Sequence, residues 1–113
     1  MEEDYKKWLT QFRKGYIELC TLLCLEKHKN LNGSGLLAVL EDIDISVTEG
    51  TLYPLLNRME QNSLLESTWH MPEGSGHPKK EYKMTSKALL LLPKLKEAFN
   101  QYNKSIDKLL IKG

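Results

Sequence analysis

The sequence predicts a mainly α fold carrying one small β-hairpin, and three observations predict it. Apolar residues recur at helical spacing over most of the chain. Two short strand-like segments flank a stretch with two glycines and two prolines at Pro72 to Pro78. The C-terminal segment carries an apolar repeat of 3.5 residues.

The 113 residues suit a single domain, 1–113, with a core over 12–85 and flanking helices at 1–11 and 86–113. A chain of this length buries a core without disulfides or a metal. The 41% hydrophobic and 27% charged shares are those of an ordinary globular protein. No apolar run approaches the roughly 20 residues that span a bilayer. The acidic start, Met1-Glu2-Glu3-Asp4, leads into no apolar stretch and argues against a secretory signal. A cytoplasmic protein is the expectation. The formal net charge is only +1, but lysines gather at Lys79, Lys80, Lys83 and Lys87. A near-neutral total therefore leaves room for a basic face.

Tyr5, Trp8, Leu9 and Phe12 share one face of a short amphipathic helix. A second helix follows from Phe12 to Lys27, apolar on most sides and so placed in the core. Its Cys20, Cys24 and His28 stand four residues apart on one face. They read as core thiols and a helix-end histidine rather than a metal site, because zinc ligands usually come from turns and separate elements. Asn30 to Gly35 is a turn, and Gly35 to Asp42 a shorter core helix.

Ser46 and Glu49 form an S-x-x-E capping box that opens a helix from Ser46 to Asn62. Leu52, Leu55, Leu56 and Met59 make its inward stripe, and Pro54 removes the bond to the Gly50 carbonyl. Leu64 to Met71 and Lys79 to Met84 read as strands, and Thr85 or Ser86 caps the last helix. That helix carries Ala88, Leu92, Leu95, Phe99, Tyr102, Ile106 and Leu109, spaced 4, 3, 4, 3, 4, 3. Such a seam packs lengthwise on another helix. So short a chain has little left to cover it, so a second subunit is expected, with Leu92, Leu95, Phe99, Tyr102, Ile106 and Leu109 at the seam.

Three central helices followed by a β-hairpin make a winged helix-turn-helix, here with N-terminal and C-terminal dimerisation helices. In that arrangement the helix before the hairpin enters the DNA major groove. Its polar face offers Ser46, Thr48, Thr51, Tyr53, Asn57, Arg58 and Gln61, residue types that bond phosphates or base edges. Glycines at the hairpin tip let the backbone come close to DNA, with His77, Lys79 and Lys80 beside it and Lys14 as a further phosphate contact. Double-stranded DNA is the expected partner. No paired carboxylates, nucleophile elbow, phosphate loop or metal motif stands in the chain, so neither an enzyme nor a cofactor is expected. A winged-helix protein-interaction module is the alternative reading.

At this point the sequence resembles the PadR family of winged-helix regulators. The resemblance rests on Phe12-Arg13-Lys14-Gly15, Ser46-Val47-Thr48-Glu49-Gly50-Thr51-Leu52-Tyr53-Pro54, Arg58-Met59-Glu60, Leu64-Leu65, Gly74-Ser75-Gly76, Lys80-Glu81-Tyr82 and Met84-Thr85. It implies a homodimeric repressor of the short subfamily, a near-palindromic operator, and release by a small aromatic or lipophilic effector. It adds weight to Tyr53 and Arg58 as backbone contacts. Where the family often has tyrosines around the glycine opening the second core helix, this chain has Asn32-Gly33-Ser34-Gly35, with Asn32 or Ser34 as replacements. Tyr5, Trp8, Phe99 and Tyr102 are the candidate effector residues, lining either a flat aromatic cavity or an ordinary interface core.

Overall fold

The computed structural model describes residues 1–71, 73–74 and 76–111. Pro72 and Ser75 of the expected hairpin tip lie outside them, as does the chain end. The element order is α1 (Glu2–His28), β1 (Leu31–Asn32), α2 (Gly33–Asp42), α3 (Glu49–Gln61), β2 (Leu65–His70), β3 (Lys79–Met84) and α4 (Ser86–Leu110).

The two expected N-terminal helices are one continuous helix of 27 residues. Gly15 is the weak point between them, but one interior glycine costs only about 1 kcal/mol. The stripe Tyr5, Trp8, Phe12, Tyr16, Leu19, Leu23 runs across it at helical spacing, so both halves favour the same continuous helix. The C-terminal half buries Ile17, Cys20, Thr21, Leu22, Cys24 and Leu25, and burial pushes both thiols above their ordinary pKa.

Within the expected turn, Leu31–Asn32 pairs with β3, Leu31 opposite Tyr82. The sheet thus has three antiparallel strands in the order β1-β3-β2. Asn32 then caps α2 two residues earlier than expected, its Oδ1 accepting from the Gly35 N–H at 2.8 Å. β2 and β3 pair in register from Leu65–Met84 to His70–Lys79. Leu65, Ser67 and Trp69 therefore share one face of β2.

The α3 cap is Thr48, whose hydroxyl accepts from the Thr51 N–H at 3.3 Å. The expected Ser46–Glu49 capping box does not form. Ser46 is drawn instead to α1, where Arg13 donates to its carbonyl at 2.8 Å. The loop is pinned at that point, and the helix starts at the next hydroxyl able to cap. Thr85 caps α4 as expected, accepting from the Ala88 N–H and also donating to the Ser63 carbonyl at 2.6 Å.

One core joins all the helices and the sheet: Leu36 and Leu40 of α2, Leu52, Leu56 and Met59 of α3, Leu65, Tyr82, and Ala88 and Leu92 of α4 against α1. Leu92 is only 1% exposed and Leu95 packs on the same core. Leu92 therefore belongs to its own chain's core and is removed from the seam. Of the expected seam residues, Phe99, Tyr102, Ile106 and Leu109 stay exposed, and so do Leu89, Leu90 and Leu110 of the same helix.

Candidate nucleic-acid interface

Because α3 buries Leu52, Leu55, Leu56 and Met59, helical geometry decides what it shows outward. Gly50, Pro54, Asn57 and Gln61 lie opposite the buried stripe, and all four are exposed. Gly50 and Pro54 keep the N-terminal half of the face low, so a surface can approach its backbone closely. Asn57 and Gln61 carry the amides able to pair with base edges. Gln61 stands four residues after Asn57 on this same outward face.

A hollow lies along each flank of α3. On one side, about 630 Å³ opens toward the N-terminus of α2 and the sheet, lined by Gly33, Ser34, Tyr53, Asn57, Trp69, His77, Lys79, Lys80 and Tyr82 among others. On the other side, about 270 Å³ opens toward α1, lined by Thr10, Arg13, Lys14, Thr51 and Arg58 among others. The candidates thus divide: Tyr53, His77, Lys79 and Lys80 fall on the wing side, Lys14, Thr51 and Arg58 on the α1 side, and Asn57 at the wing-side edge of the outward face. Thr48 is exposed at the helix start, and Ser46 sits in the loop beside α1.

Several of these side chains already hold protein partners. Arg58 pairs with Glu18 of α1 at 3.2 Å. Lys80 pairs with Glu60 at 3.0 Å and lies 5.7 Å from the centre of the Tyr82 ring. Ser67 donates to the same Glu60 carboxylate at 2.5 Å. That hydrogen bond, with Lys80, holds Glu60 below the ordinary carboxylate range, and Glu60 in turn raises Lys80. Lys80 therefore braces the wing against α3, whereas Lys79 stands exposed at the rim. Asn32 caps α2 and also accepts from the Ser34 hydroxyl, so it is spent within the protein; Ser34 faces the wing-side hollow.

Sequence reasoning missed Arg13, which joins Lys14 and Arg58 in one cationic cluster across α1 and α3. It also missed Trp69, 69% exposed on the sheet face that turns toward α3. Its phase with Leu65 along β2 was the available signal.

A three-helix core, a sheet of three short strands, and a polar helix set between two hollows together point to one kind of protein. The family model for the PadR-like transcriptional regulators matches residues 22–88. The chain belongs to the PadR-like family. Family membership makes it a DNA-binding transcriptional regulator rather than an enzyme. Solved structures agree with the fold throughout. A PadR-like transcription factor from Bacteroides fragilis is 33% identical, with a TM-score of 0.77, covering 91% of this chain and 98% of that one. A PadR family regulator from Eggerthella lenta is 27% identical, with a TM-score of 0.82 and coverage of 99% and 96%. A PadR-like regulator from Bacillus cereus is 29% identical, with a TM-score of 0.77 and coverage of 91% and 99%. Among curated protein sequences nothing matches. No helix among the described residues is long and apolar enough to cross a membrane.

Proposed function

We propose that this PadR-like regulator is a homodimeric repressor that lays α3 in the major groove of a near-palindromic operator. The observation that carries the reading is the pair of hollows flanking α3. A helix in the major groove has one phosphate backbone on each side, and this one has polar or cationic groups on each side to meet them. Asn57 and Gln61 then face the bases, Lys14 and Arg58 one strand, Tyr53 and Lys79 the other. Arg58 binds phosphate only after leaving Glu18, an exchange of one partly exposed partner for another that costs little.

The dimer reading rests on what one chain leaves uncovered. Its accessible surface is 8374 Å², where a compact monomer of 13.1 kDa exposes about 6,400 Å². Its radius of gyration is 16.2 Å, against about 13 Å for a compact domain of this length. Exposed apolar side chains concentrate on the projecting ends of α1 (Tyr5, Trp8, Phe12) and α4 (Tyr102, Ile106, Leu109). A second copy burying these residues gives two α3 helices with half-sites about 34 Å apart.

Small aromatic or lipophilic compounds are the proposed effectors, at the seam formed by Tyr5, Trp8, Phe99 and Tyr102. Within one chain Phe99 meets Tyr16 at 5.6 Å and Trp8 meets Phe12 at 6.3 Å. A cavity joining the four candidates therefore needs the partner's helices. A gel shift against the promoter of the protein's own operon tests the function. Binding at low salt that weakens steeply with added salt supports it. A dimer that binds no DNA at low salt supports the interaction-module reading instead.

A further inference from the structure

The wing-side hollow holds a feature that core packing does not explain. Tyr82 is 3% exposed, pressed under Lys80 in the sheet, and lines the hollow. Its hydroxyl makes no hydrogen bond to any described residue, yet no fully buried polar side-chain atom among them lacks a partner. The phenol therefore shows its hydroxyl to the hollow and little else. Burial pushes its pKa up, so the O–H stays a donor. A donor fixed in a wall and left open asks for an acceptor from outside.

Beside it stands the N-terminus of α2, beginning at Gly33. The Tyr53 ring lies directly over this residue. A Cβ placed on Gly33 would fall 2.5 Å from Tyr53 Cε1 and 2.6 Å from Cζ, and closer still to the hydroxyl. Real Cβ contacts are never so short, so Gly33 is what allows Tyr53 to lie across the helix start. The result is two phenol donors, the partly positive end of a helix and the exposed Lys79 around one space, all suited to an anion.

We propose that this hollow is a built seat for one DNA backbone phosphate, with the Tyr82 and Tyr53 hydroxyls as donors and Gly33 as the residue that positions Tyr53. The proposal rests on the DNA-binding reading and adds two residues to it. Tyr82 is a phosphate ligand presented by the sheet, and Gly33 acts only through Tyr53.

The test is a phosphate scan. A duplex is selected from a random library by the wild-type protein, then remade with single methylphosphonates that remove one phosphate charge at a time. The wild type should lose affinity at one position per half-site on the wing side. Tyr82→Phe should bind the unmodified duplex at least about tenfold more weakly, as expected for a lost hydrogen bond to a charged group. At that one methylphosphonate position it should lose nothing further. Gly33→Ala gives an independent arm, in which Tyr53 is displaced, affinity falls and Tyr53→Phe adds no further loss. Melting by circular dichroism checks that each variant is folded; should Gly33→Ala not fold, Tyr53→Phe on the wild-type background replaces it and should weaken binding at the same position. If the wild type selects a duplex but folded Tyr82→Phe binds every version as the wild type does, the seat is wrong and the DNA reading stands. If the wild type retains no duplex, both fall.

Discussion

At the scale of residues, the polar face of α3 is shared among three tasks that composition does not separate. Asn57 and Gln61 point away from the core, Tyr53 lies over Gly33, and Arg58 is turned back to Glu18. The residue types were legible in the sequence, because Thr, Tyr, Asn, Arg and Gln opposite a leucine stripe mark a polar working face. Their partners were not, since Glu18 stands 40 positions from Arg58 and nothing local reveals the pairing. The pairing yields a prediction with opposite signs. Arg58→Ala should weaken DNA binding and lower its salt dependence by about one phosphate contact. Glu18→Gln should tighten binding a few-fold by removing the competing carboxylate, the scale of a partly exposed ion pair. Fluorescence anisotropy across a salt series checks both; equal salt slopes for Arg58→Ala and wild type would remove Arg58 from the phosphate contacts.

At the scale of elements, the sequence showed the helices and strands well and their ends less well. The leucine stripe of α3, the β2–β3 pair and the Thr85 cap stand where periodicity and turn chemistry put them. The misses share a cause, which is tertiary contact choosing between local alternatives. Ser46 and Thr48 were both able to cap α3, and the Arg13 bond to the Ser46 carbonyl leaves the role to Thr48. β1 is only two residues long and exists because β3 lies beside it. The cap gives a direct check. Thr48→Ala should cost about 1 kcal/mol in urea unfolding, whereas Ser46→Ala leaves the Arg13 bond and the cap intact and should cost much less. The reverse order would restore the Ser46 capping box.

At the scale of the whole molecule, the heptad repeat on α4 serves two ends. Its first part, Ala88 and Leu92, closes the chain's own core, with Leu95 packed against it, and its last part, Tyr102, Ile106 and Leu109, projects beyond it. A repeat read from sequence marks an apolar stripe but not where that stripe leaves the chain's own core. That boundary is set by where α1 crosses α4, near the Glu26–Lys96 and Tyr16–Phe99 contacts. A charge is therefore best placed past the crossing. Leu109→Glu should convert the proposed dimer to a folded monomer by sedimentation, because the residue is 83% exposed in one chain and carries none of its core. An unchanged dimer would move the interface elsewhere.

The proposed reading of a two-fold DNA site by α3 rests on Asn57 and Gln61. It is tested most directly by selecting duplexes from a random library with wild-type protein and with the Asn57→Ala, Gln61→Ala double variant. The wild type should select a near-palindrome with half-sites about one turn apart, and the variant should lose preference at the same positions of each half-site. No enriched sequence with wild type, or an identical one with the variant, would contradict it.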